Sequence, residues 1–136
     1  MREILFRGKQ KAGRIKRWIE GYYYQKPNPS SEDGLPVFHG ISDCPPFGSE
    51  VLPETVGQYT GIVDKNGTKI FEGDIVKDRK GNVGYIAFLM QDAGWAIVWE
   101  YYDSRMGHRT RNCSCTTDQT LEVVGNIYDN PEVIWG

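Results

Sequence analysis

A chain of 136 residues with 39% hydrophobic and 12% aromatic residues can bury a core of its own, which excludes a disordered tail or a miniprotein that needs metal or disulfide staples. The formal net charge of −2 gives no overall bias towards polyanions. The opening Met1-Arg2-Glu3-Ile4-Leu5-Phe6-Arg7 is too short an apolar run for a signal peptide, and no later stretch approaches the ~18 apolar residues of a membrane helix, so a cytoplasmic protein without a membrane partner is expected. Cys44, Cys113 and Cys115 are an odd set without framework spacing, as suits reduced thiols, and the triplets Asn66-Gly67-Thr68 and Asn112-Cys113-Ser114 are then chance glycosylation matches.

In chain order, Glu3 to Arg7 and Arg17 to Tyr24 are short runs of aromatic and branched residues that predict two paired strands. Between them lies a basic, glycine-containing link, and from Met1 to Glu20 seven cations face two acids. The plain reading of Gly8 to Gly13 is a solvated hairpin loop whose lysines keep a sheet edge soluble. From Gln25 to Ser49 prolines, serines and glycines accumulate, and only Leu35 to Ile41 is apolar enough for a strand. Pro53 and Glu54 then open a single helical turn that Gly57 ends.

Tyr59 to Val63 and Thr68 to Phe71 flank Asp64-Lys65-Asn66-Gly67, a hairpin link in which Gly67 supplies the positive φ. The link is not a calcium loop, because the sixth position, where such a loop needs glycine, is Lys69. Glu72 to Lys77, a basic turn over Asp78 to Asn82, Val83 to Leu89 and Trp95 to Tyr101 predict three further strands. Period two puts Trp95, Ile97, Trp99 and Tyr101 on one face of the last and Ala96, Val98 and Glu100 on the other, with one face in the core. Gln119 to Tyr128 is another strand, after which Asn130 caps a turn with Pro131 at its first helical position.

The order of a Gly-Asp leading into a strand, a glycine turn and two more strands ending in aromatic alternation resembles the opening of an SH3-like barrel. The expected fold is therefore mostly β: a small SH3-like or pseudo-barrel unit over 51–136, with N-terminal strands, a long irregular loop over 1–50 and short helical turns, all as one compact unit. Four pieces resemble the YopX family of small phage and prophage proteins: Met1 to Arg7, Val56 to Gly67, Ile70 to Val76, and Leu121 to Pro131. Residues 25–50 and 90–118 lie outside the resemblance. What it implies is a phage or prophage origin, life in the cytosol of an infected or lysogenic bacterium, and self-association. It brings no established activity and no catalytic residue.

Read for chemistry, the chain offers little that converges. His108, Cys113 and Cys115 are close in sequence and Cys44 could complete four ligands, but Cys113-Ser114-Cys115 is too tight for the Cys-x2–4-Cys pairs zinc prefers. A redox role for that pair lacks a helix start to lower a thiol pKa. Glu72 and Asp74 are the nearest candidates for paired carboxylates, since residues two apart share a strand face, although Asp74 is better placed to accept turn amides. No phosphate loop, nucleophile elbow or His-Glu metal helix is present, so no catalytic residue, metal or cofactor is assigned and no enzyme is expected.

Protein binding, to a second copy or to a host or phage protein, is the leading reading. Tyr22, Tyr23 and Tyr24 cannot all face inward on a strand, and Trp95, Trp99, Tyr101 and Tyr102 add rigid aromatic anchors. The alternative is nucleic acid, because basic segments adjoin these aromatics: Lys9, Lys11, Arg14, Lys16 and Arg17; Arg79 and Lys80; Arg105, Arg109 and Arg111. The acidic balance of the whole chain, and tryptophans that a small core would bury anyway, weigh against it. A virion component is weakened by the short length and the absence of repeats.

Overall fold

The structure, a computed structural model, describes residues 3–29, 37–45, 47–114 and 120–136, with the backbone alone for 101–103 and 107–114. The chain divides into two compact units, Met1–Tyr59 and Thr60–Gly136. No helix among the described residues is long and apolar enough to cross a membrane.

In the first unit, β1 (Phe6–Lys9) and β2 (Trp18–Pro27) pair antiparallel with Phe6 opposite Gly21, as their aromatic and branched residues predict. β3 (Val37–Cys44) pairs with β2, and β4 (Phe47–Glu50) pairs with β3 through a bulge between Ile41 and Cys44. Ser42 closes that bulge: its hydroxyl donates to the Phe47 carbonyl and accepts the Cys44 N–H at 2.9 Å. The other flank of β1 takes the start of β5 (Gly57–Val63), with Phe6 opposite Gln58. Pro53–Thr55 forms a single 3-10 turn with proline in its first turn, as expected. Thr55 locks it by donating to the Leu52 carbonyl at 2.6 Å and accepting the Lys9 N–H at 2.9 Å. Ile41 and Val51 are buried on the inner face, over Gly8.

In the second unit, the end of β5 pairs with β6 (Lys69–Phe71), and a five-stranded antiparallel sheet follows. Its order is β10 (Gly107–Ser114), β9 (Gly94–Asp103), β8 (Val83–Leu89), β7 (Asp74–Lys77) and β11 (Glu122–Asn126). The mostly-β expectation holds, but the described strands form open sheets and do not close into a barrel: β10 and β11 end their sheet as edges instead of pairing with each other. Both β4 and β10 are absent from the sequence-based expectation.

The core of this unit gathers Ile70, Val76, Ile86, Ile97, Trp99 and Leu121, with Ile62, Trp95 and Val123 packed against it. The predicted alternation on β9 is present, yet both of its faces are covered: Ile97 and Trp99 on one, Ala96 and Val98 on the other. A short helix, α1 (Glu132–Trp135), follows β11. The Asn130 side chain does not cap it; it turns back and accepts the Asn126 N–H at 3.3 Å, while Pro131 occupies the N-cap.

Two turns of this unit share one construction. In each, an aspartate carboxylate accepts the N–H groups two and four residues on: Asn66 and Thr68 for Asp64, Lys80 and Asn82 for Asp78, all at 2.8–2.9 Å. In each, the fourth residue is a glycine at positive φ, Gly67 at 84° and Gly81 at 87°.

Candidate interaction surfaces

Alternation along β2 divides the three consecutive tyrosines. Tyr23 points to the inner face, where its hydroxyl lies 2.6 Å from His39 Nδ1 and accepts a hydrogen bond from Gln25 Nε2 at 3.0 Å. Tyr22 and Tyr24 point outward with Trp18, Glu20 and Lys26, and Tyr22 is 57% exposed. The register sets Arg7 opposite Glu20, Lys9 opposite Trp18, Gly40 opposite Tyr24 and Phe38 opposite Lys26, so all of these share the outer face.

The aromatic rings are seated rather than loose. Tyr24 lies across Gly40, where an added Cβ would run into its ring, and Phe38 stands beside it at 6.1 Å. The Arg7 guanidinium sits 4.8 Å over Trp18 and the Lys26 ammonium 4.6 Å over Phe38. The β1–β2 connection carries exposed Arg14, Lys16 and Arg17 next to this face, and Lys11 pairs with Glu50 at 3.4 Å. The first predicted basic cluster is thus brought together with part of the predicted aromatic set.

The second unit offers a different surface at the tip of the β8–β9 hairpin. Phe88 is 41% exposed and meets Trp95 edge to face at 5.1 Å, and Met90 beside it is 84% exposed. A 3-10 turn, Met90–Asp92, reverses the chain and ends at Ala93 with φ 47°, the one non-glycine residue in the left-handed region among those described. Sequence reading reached Trp95 but missed Phe88 and Met90. The signal was there, since an apolar pair continues β8 directly into a turn where polar residues are the rule.

Trp99, expected at the surface, is buried in the core, because the alternation that groups it with Trp95 also groups it with Ile97. Arg79 and Lys80 are exposed at the second aspartate turn, away in sequence from any outward aromatic, and Arg105 is exposed in the β9–β10 turn. Tyr101, Tyr102, Arg109 and Arg111 lie on paired β9 and β10 backbone, with side chains outside the described set.

Asp74 does accept a turn amide, the Phe71 N–H at 2.8 Å, and is buried. Glu72 precedes β7 instead of sharing a strand with Asp74, and burial raises its pKa. Burial, and then the charge of Glu100, raise the pKa of Tyr85, whose ring packs against Trp135 at 5.4 Å. Among the described residues no three His, Cys, Asp or Glu side chains gather as a metal site; the side chains of His108 and Cys113, and all of Cys115, lie outside them. Cys44 is a free, exposed thiol.

Among solved structures, the crystal structure of protein EF1440 from Enterococcus faecalis is similar over 98% of this chain and 99% of that chain, with 20% identity and a TM-score of 0.42. No curated protein matches the chain. The model of the YopX protein family matches residues 5–134, and with nearly the whole length covered the chain belongs to the YopX family.

Proposed function

We propose that the protein is a non-catalytic protein-binding module that self-associates through the tip of the β8–β9 hairpin, in the cytosol of a bacterium carrying the corresponding phage or prophage. The observation that carries this reading is the pairing of exposed apolar side chains with backbone strain. Phe88 and Met90 leave large apolar surface in water, where burial against a partner is worth about 25 cal/mol per Å2. Ala93 is held at a φ that costs an alanine about 1–2 kcal/mol. Strain of this kind at an exposed apolar turn points to a shape kept for contact. Methionine and a seated aromatic suit such a contact, because one adapts to its partner and the other loses little entropy on binding.

Light scattering across a range of protein concentrations tests the reading. The expected result is a mass above that of one chain, reduced to a single chain in Met90→Asp and in Phe88→Ser. A one-chain mass at every concentration would overturn it, as would an unchanged assembly in both variants. Trp99→Ala is a poor probe, since removing a core tryptophan costs about 3–5 kcal/mol of stability and confounds assembly with folding.

A further inference from the structure

We infer that the outer face of the β1–β2–β3 sheet binds single-stranded nucleic acid, with a base stacking on Tyr22 and phosphates drawn by Arg14, Lys16 and Arg17 of the β1–β2 connection. The inference uses a surface of the first unit that self-association through the β8–β9 tip leaves unexplained.

The face has the two components such a site requires, and the sequence places them side by side. Between Ile4 and Ile19 there are six cations and no acid. That run ends on Trp18, the first of the outward aromatics of β2. Of the acids in this unit, Glu20 stands opposite Arg7 and Glu50 pairs with Lys11. The remaining charge is positive, although the whole chain is acidic, so the complementarity to a polyanion is local.

Geometry decides between single and double strands. Strand rise is about 3.4 Å per residue, so Tyr22 and Tyr24 stand ~7 Å apart along β2, and Trp18 and Tyr22 ~13 Å apart. Stacked bases repeat every ~3.4 Å along a strand and hide their faces from such a platform. Bases splayed from a single strand can each take a ring, and sheet faces bearing outward aromatics recognise nucleic acid in this way. Tyr22, the most exposed of the three tyrosines, offers an open ring, while Trp18 is half-buried with the Arg7 guanidinium over its face.

Fluorescence anisotropy with the full chain and labelled oligothymidylate, oligouridylate and a DNA duplex, each from about 50 mM salt upward, tests the inference. Binding of either single strand above the duplex is expected, and the comparison of the two oligomers shows whether DNA or RNA is preferred. Tyr22→Ala is expected to weaken single-strand binding by about tenfold, as the loss of one stacked base does. The triple variant Arg14→Gln, Lys16→Gln, Arg17→Gln should flatten the slope of log affinity against log salt by about 2. All four positions are at the surface, so circular dichroism of the variants should match the parent. No single-strand binding at low salt, duplex binding of equal strength, or affinity indifferent to Tyr22→Ala would each overturn the inference.

Discussion

Asp64 is the residue whose loss separates a turn that merely closes itself from one that holds the fold. Its Oδ1 accepts the N–H groups of Asn66 and Thr68, and its Oδ2 accepts the N–H of Val123, 59 residues away, at 2.9 Å. Asp78 builds the same turn, but among the described residues its second oxygen takes the Asn82 side chain, at 3.1 Å, and no distant strand. Hydrogen bonds to a charged group are worth about 1.5–3 kcal/mol each, but in Asp64→Ala the exposed amides of Asn66 and Thr68 recover much of this from water. The Val123 N–H, on a partly buried strand, is left without its acceptor at a further cost of about 1–3 kcal/mol. Asp64→Ala should therefore lose about 3 kcal/mol and Asp78→Ala about 1 kcal/mol, read from urea unfolding at matched m-values.

The pH dependence of Asp64 gives an independent check. Burial works to raise its pKa, but the Val123, Thr68 and Asn66 amides and the charge of Lys65 outweigh it and hold the carboxyl below its ordinary 3.8. A depressed carboxylate adds stability that is present above 3.8 and lost as the pH falls through its folded value. The gap between the parent and Asp64→Asn should be full at neutral pH and close in acid. Equal losses for Asp64→Ala and Asp78→Ala, or a gap indifferent to acid, would refute the argument.

Two further outcomes follow from local geometry. Ala93→Gly should stabilise the protein by about 0.5–1 kcal/mol, the relief of a left-handed alanine less the entropy glycine adds to the unfolded chain; a lower urea midpoint would show that φ 47° is unstrained there. Glu72 has its pKa raised by burial, so its ionisation opposes folding as the pH climbs from 4.5 through the folded value. Glu72→Gln should then be more stable than the parent at neutral pH with the difference vanishing in acid, and equal stability at pH 7 would contradict this.

Much of the fold was legible because certain residues act locally. Gly67 and Gly81 mark their turns at a fixed offset from an aspartate, and Val83 to Leu89 forms a strand with those bounds. β4 and β10 were illegible for the opposite reason. Phe47-Gly-Ser-Glu and Gly107-His-Arg-Thr-Arg-Asn-Cys-Ser lack the branched alternation of a strand with a buried face, and both are edge strands, where polar residues are tolerated. Alternation on β9 sorted its residues into two faces but could not show that both would be covered, which depends on elements distant in sequence. For the same reason Trp99 read as a surface anchor and lies in the core, whereas the tyrosine triplet, constrained by strand geometry alone, yields the exposed ring expected of it.

The two aspartate turns also differ in what the chain can accept at them. At Asp78–Asn82 the hydrogen bonds of the aspartate carboxylate begin and end within five consecutive residues, so a peptide spliced into the tip would lengthen a loop whose closure cost grows only slowly with length. At Asp64–Thr68 the same splice would pull on Leu121 and Val123, which hang from the turn through the Lys65 N–H and the Asp64 carboxylate. One hairpin tip is a port for grafted epitopes or new chain ends; its near twin is a rivet.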